Sequence, residues 1–150
     1  MVTCGRSART WDRTPEAATA IPVIDVFAGP GGLGEGFDAL RSGTGQPVFQ
    51  VALSLEKDPV AHRTLELRRL VHQFPRGELP PSYITYLQSP SDDARERLFN
   101  EYRTKATRAR VQAWNIEIGQ ENAEEIVKRV KRTLNKRKRW VLVGLSLIHI

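Results

Sequence analysis

Asp25-Val26-Phe27-Ala28-Gly29-Pro30-Gly31-Gly32-Leu33-Gly34-Glu35-Gly36-Phe37 is an apolar run that passes straight into a glycine-rich turn. Ile21 to Phe27, which opens it, is mostly β-branched or aromatic and has the length of a buried parallel strand. Beyond the turn Leu33, Phe37 and Leu40 recur at helical spacing, so the local order is strand, turn, helix. Glycines here let the backbone approach a ligand with no Cβ in the way, and the first N–H groups of the following helix face a polar guest. The turn therefore fits a nucleotide-like cofactor. An ordinary strand-to-helix connection also uses glycine, but it does not require five of them within eight residues.

Gly29-x-Gly31-x-x-Gly34 matches the dinucleotide fingerprint, a weak signal when it stands alone. A second strand, Val48 to Leu55, ends in Glu56-Lys57-Asp58 and so places an acid roughly 20 residues past the glycines, where a carboxylate accepts both ribose hydroxyls. That arrangement serves NAD and S-adenosylmethionine alike. An alternative role for the acidic segment is local, because Asp58-Pro59 also reads as an N-cap followed by proline at the first helical position.

The wording Asp25-Val26-Phe27-Ala28-Gly29-Pro30-Gly31-Gly32-Leu33 resembles the first motif of the DNA (cytosine-5)-methyltransferases, Asp-x-Phe-x-Gly-x-Gly-Gly followed by a helix ending in Gly-Phe. The resemblance covers about residues 21 to 72. It implies an α/β fold with a doubly wound parallel sheet, of the Rossmann-like type that S-adenosylmethionine-dependent methyltransferases use. By position it implies that Phe27, Ala28, Gly29, Gly31, Gly32 and Leu33 wrap the methionine part of S-adenosylmethionine and that Glu56 holds its ribose. The implied partner is duplex DNA, with the target cytosine flipped out of the stack. The family's third motif, an acid near the adenine, has no counterpart that the sequence identifies.

Trp140-Val141-Leu142-Val143-Gly144 is a further apolar strand. In the family such a run leads into Gly-Pro-Pro-Cys-Gln, whose cysteine is the nucleophile; here Leu145-Ser146-Leu147-Ile148-His149-Ile150 follows. The resemblance thus implies a partial methyltransferase domain over 21 to 144, without the thiolate chemistry; the wording of 145 to 150 itself reads as an artefactual or truncated end, or else as a natural hydrophobic strand end. Two other readings stand beside it: a fragment of an NAD-dependent oxidoreductase, and a non-catalytic nucleic-acid-binding module.

Composition sets the outer bounds. With 40% hydrophobic and 27% charged residues in 150, the chain is globular and has room for one modest domain. Met1 to Ala20 is a polar leader interrupted by Arg6, Arg9, Asp12, Arg13 and Glu16, with no apolar signal core, which points to a cytoplasmic setting. No apolar run is long enough for a membrane span. Cys4, in the leader, is the only cysteine, and His62, His72 and His149 have no ligand spacing, so neither a disulfide framework nor a metal centre is expected.

The second helix is expected from about Pro59 to Val71, with Val60, Leu65, Leu67, Leu70 and Val71 on an apolar face. Prolines between Phe74 and Pro81 break the pattern, and Ser82 to Gln88 is short and helical or irregular. A helical insert follows over about 89 to 135. Ser89-Pro90 starts a helix carrying Leu98, Phe99, Tyr102, Ala106, Ala109 and Ala113 and running to about Ile118; after Gly119 a capping box at Asn122 to Glu125 starts another, faced by Ile126, Val127, Val130 and Leu134. A helical hairpin results, and it leaves the sheet without a third strand unless Tyr83 to Leu87 supplies one. Lys128, Arg129, Lys131, Arg132, Lys136, Arg137, Lys138 and Arg139 supply most of the formal net charge of +6, either to meet DNA phosphates or as a solvated face.

Overall fold

The computed structural model describes residues 20–145; the leader through Thr19, with Cys4, and Ser146 to Ile150, with His149, lie outside the described residues. Four parallel strands form one sheet in the order β3-β2-β1-β4: β1 (Ile21–Val26), β2 (Phe49–Glu56), β3 (Ala113–Asn115) and β4 (Val141–Gly144). The helices between them are α1 (Gly32–Ala39), α2 (Pro59–Val71), α3 (Pro81–Gln88), α4 (Asp92–Glu101), α5 (Arg103–Gln112) and α6 (Ala123–Leu134). The chain steps outward from β1 through β2 to β3, then crosses back to lay β4 on the other side of β1. This reversal is the doubly wound order, and ligands of such sheets sit beyond the carboxyl ends of the strands where the order reverses.

Side-chain alternation decides which helix covers which face. Ile24, Val26, Leu53 and Leu55 pack with Trp114 and Ile116 against Ile126, Val130 and Leu134 of α6. Asp25 and Val51 face the other way, against Gly34 of α1. The β1–β2 register slips between Val23 and Ile24, where Ala52 is the extra residue; the bulge keeps Val51 beside Val23 and Leu53 beside Ile24 on their respective faces.

Beyond α2 lies a further helical layer. Leu70 of α2 joins Leu98, Phe99, Ala106 and Ala109 in a second apolar cluster, flanked by Leu67, Phe74, Tyr83, Tyr86 and Tyr102. Asp58 caps α2 as expected, its Oδ1 accepting from the Ala61 N–H at 2.7 Å with Pro59 in the first turn. Val60 is 72% exposed and belongs to no core face.

Several expectations for 82 to 135 are corrected. Tyr83 to Leu87 is helix α3, not a strand. The helix expected to reach Ile118 breaks at Tyr102 into α4 and α5 and stops at Gln112; Ala113 to Asn115 is the third strand, parallel to β2. The stretch is therefore not a helical hairpin but three helices, an edge strand and the crossover helix α6. Its first cap is Ser91, whose Oγ accepts from the Ala94 N–H at 3.1 Å, and not Ser89. Asn122 makes no capping bond to α6, because its amide is spent on the preceding turn, accepting from the Gly119 N–H and donating to the Glu117 carbonyl. Among the described residues no helix is long and apolar enough to cross a membrane.

Candidate functional site

The glycine turn lies at the carboxyl end of β1, beside the carboxyl ends of β2 and β4. Val26 pairs with Gly144, and the Ala28 N–H donates to the Leu55 carbonyl at 3.0 Å. Gly144 is required there, since a Cβ would meet the Val26 side chain at 2.6 Å and its carbonyl oxygen at 2.7 Å.

Each turn glycine has its own reason to be glycine. Gly29 and Gly31 hold φ of +56° and +94°, in the left-handed region. A Cβ on Gly31 would strike Leu65 Cδ1 of α2 at 2.9 Å, and one on Gly34 would press on Asp25, Val51 and Arg69 at 3.2 to 3.4 Å. Gly31 therefore has a helix-packing reason to be glycine. Gly32, and Gly36 one turn further along α1, are different: a Cβ there meets no protein atom within 4 Å, and their φ is not left-handed; of the two, Gly32 sits at the strand end. Nothing in the chain itself demands glycine at that position, whereas a ligand lying against the backbone would. No side chain caps α1, so its first N–H groups open onto the same space.

Phe27 holds a φ of +56° although it is not glycine, a conformation costing about 1 to 2 kcal/mol, and its ring is half exposed. Strain of this kind collects at binding sites. The ring borders a shallow groove with Leu55, Lys57, Ile116, Glu117 and Ile118. Lys57 Nζ donates to Glu117 Oε1 at 3.1 Å across that groove. Ala28 is buried under Leu65, and Leu33 is half-buried at the start of α1.

Glu56 closes the turn. Its Oε2 accepts from the Gly29 N–H at 2.6 Å and its Oε1 from the Asp58 N–H at 2.8 Å. A carboxylate has about four acceptor positions, so capacity for two hydroxyl donors remains. The structure thus gathers Phe27, Ala28, Gly29, Gly31, Gly32, Leu33 and Glu56 around one strand-end turn, with Gly31 and Ala28 turned into the core. Ile116, Glu117 and Ile118 at the groove escaped the sequence reading, although Trp114, Ile116 and Ile118 alternate with Asn115 and Glu117 at the period of a strand.

Behind the turn an ionic network clamps α1 to α2. Arg69 Nη1 donates to Asp38 Oδ2 at 2.6 Å and Nη2 to Glu35 Oε1 at 3.3 Å, while His72 Nε2 lies 2.9 Å from Glu35 Oε1. Burial alone would raise the Glu35 pKa, but the hydrogen bond and charge of His72, with Arg69 and Arg68, outweigh it and lower it. Asp25, deeper in, has a pKa pushed up to about 6, chiefly by burial.

The basic run is not at this site. Arg129 lies over the Trp114 ring at 4.2 Å and donates to the Val111 carbonyl, and Arg137 donates to the Ala20 carbonyl at 2.6 Å, so two of the eight expected phosphate contacts are tied into the fold. Ala20 precedes β1, which places Lys136 to Arg139 at the amino ends of the strands. Six residues of β1, roughly 20 Å at 3.3 Å each, separate them from the glycine turn.

Among the described residues no group of three or more His, Cys, Asp or Glu side chains is placed to hold a metal ion. Comparison with family models, curated proteins and solved structures gave no significant match.

Proposed function

We propose that this chain is the cofactor-binding half of a DNA (cytosine-5)-methyltransferase and binds S-adenosylmethionine at the β1 turn. The observation that carries the cofactor site is Gly32, a glycine with no steric reason inside the chain, open at the switch point of a doubly wound sheet. Phe27 and the first N–H groups of α1 would hold the methionine end, Glu56 the ribose. When bound, that cofactor supplies an electrophilic methyl group on a sulfonium.

The choice over NAD rests on two supports. In the dinucleotide fingerprint the second glycine gives the pyrophosphate its close approach, yet here Gly31 is turned onto Leu65 and Gly32 is the open position. The methyltransferase motif, with glycine at both positions, accommodates that difference. The DNA substrate rests on the resemblance over residues 21 to 72. Leu145-Ser146 follows Gly144 where the family has Pro-Pro-Cys, and Cys4 lies ahead of the turn, so the proposal assigns cofactor binding to this chain and no methyl transfer on its own.

Calorimetry with S-adenosylmethionine, its demethylated product and NADH tests the assignment. The first two should bind and NADH should not; tighter NADH binding would sink it. Gly32→Val should lower affinity about tenfold or more, a loss of about 1.4 kcal/mol, while leaving unfolding free energy within about 0.5 kcal/mol. Gly31→Val should do the reverse, costing about 1 to 3 kcal/mol of stability through Leu65. Glu56→Ala should weaken binding by about 1.5 to 3 kcal/mol, part of it through the loosened turn. Unchanged affinity in both Gly32→Val and Glu56→Ala would show that the site lies elsewhere. Cytosine methylation by the chain alone that disappears in Cys4→Ser would overturn the division of labour.

A further inference from the structure

The positive charge on this molecule is concentrated along the outer side of α6 and on the loop that follows it, at the end of the sheet opposite the glycine turn. Lys128, Lys131, Arg132, Lys136, Lys138 and Arg139 are exposed on the outer side of α6 and on the loop that follows it, and no acidic residue occurs from Ile126 onward. These six equal the whole formal excess of +6, so the rest of the chain is balanced. The loop is held in shape: Asn135 and Lys136 take left-handed backbone conformations with φ of +45° and +62°, the Arg137 N–H returns to the Leu134 carbonyl, and the Arg137 side chain is anchored on Ala20.

Helix-dipole compensation accounts for part of this, since Lys131 and Arg132 fall in the last turn of α6. It does not account for Lys136, Lys138 and Arg139, which lie past the helix end and bond to none of its carbonyls in the described contacts. A fixed loop presenting cations beside the cationic later turns of α6, with acids only in the helix's first turn at Glu124 and Glu125, matches the evenly charged backbone of a nucleic-acid duplex, where each neutralised phosphate releases condensed counterions. No aromatic residue is interleaved among the cations for stacking on a run of unpaired bases: Trp114 is covered by Arg129, and Trp140, 43% exposed after Arg139, is a single ring at the start of β4.

We propose that the outer side of α6 and the loop after it, presenting Lys128, Lys131 and Arg132 of the helix and Lys136, Lys138 and Arg139 of the loop, form a sequence-independent docking surface for the phosphate backbone of duplex DNA, separate from the cofactor turn. It requires nothing of the cofactor reading. A duplex held here lies a sheet's height from the glycine turn, so the surface tethers DNA without presenting a base to that turn.

Fluorescence anisotropy of the full chain with short random-sequence duplexes, at salt from about 50 to 200 mM, reads this out. The affinity of the wild type should fall steeply with salt. Changing Lys136, Lys138 and Arg139 together to Gln should flatten the slope of log affinity against log salt by roughly 2 to 3, equally for unrelated sequences. The α6 triple Lys128→Gln, Lys131→Gln, Arg132→Gln gives a second reading should the loop variant not fold, which circular dichroism shows. Gly32→Val should bind DNA as the wild type does, whether or not it loses the cofactor. Slopes unchanged in the folded variants would overturn the proposal, as would binding to phosphatidylserine vesicles in preference to duplex.

Discussion

Asp25 lies beneath the glycine turn with 1% of its surface exposed, and neither of its carboxylate oxygens has a hydrogen-bond partner among the described residues. Burial raises its pKa to about 6 against the pull of Arg69, with Asp38 and Glu56 adding to the rise. The folded state therefore holds a proton that the unfolded chain has lost, and the stabilisation is present below pH about 4 and gone above about 6. A shift from 3.8 to about 6 corresponds to about 3 kcal/mol. Asp25→Asn removes the ionisation, so its stability relative to wild type should improve by about that amount between pH about 4 and about 7.5. Urea denaturation at the two pH values measures it. A difference that does not change with pH would mean that Asp25 titrates in the ordinary carboxylate range.

At the scale of elements, the arrangement of α1 on α2 depends on Arg69, itself 1% exposed. Removing one member of a buried ionic group strands the others, at a cost of about 3 to 5 kcal/mol. Arg69→Ala should lose that much by denaturant titration, and Arg69→Met, which keeps most of the apolar stem, should lose nearly as much; a Met variant near wild-type stability would show that packing, not charge, matters here. The same elements show what the sequence made legible. β1, the turn, β2 and α2 were readable because their signals are local: a β-branched run, clustered glycines, and Asp58 before Pro59. β3 was not, because its three residues follow α5 without a break and Ala113 continues the alanine stripe of Ala106 and Ala109. What makes Ala113 a strand residue is pairing with Ser54, a contact between positions far apart in the chain. Likewise no periodicity could show that Gly31 faces Leu65 while Gly32 faces open space, since that depends on where α2 docks. Arg129 and Arg137 read as part of a charge run until Trp114 and Ala20 are brought beside them.

At the scale of the whole molecule, the sheet places its two candidate surfaces at opposite poles and leaves one apolar flank between them. β4 pairs with β1 on one side only among the described residues, and Trp140, Leu142 and Leu145 along it are 43%, 59% and 66% exposed. Edges of this kind are usually covered, bent by a bulge or guarded by charge, and the Val141-Leu142-Val143-Gly144 segment carries no charge, proline or bulge. Lys138 and Arg139 guard only its amino end. The chain should therefore self-associate with rising concentration through this edge, against the repulsion of its net positive charge. High salt screens that repulsion while strengthening apolar contact, so association should increase with salt, whereas DNA docking at the basic pole should decrease. Leu142→Lys puts a charge in the middle of the exposed flank and should shift the species seen by light scattering toward the monomer, with S-adenosylmethionine affinity unchanged because the turn lies beyond the strand's other end. Association that persists undiminished in Leu142→Lys would place the contact on another surface.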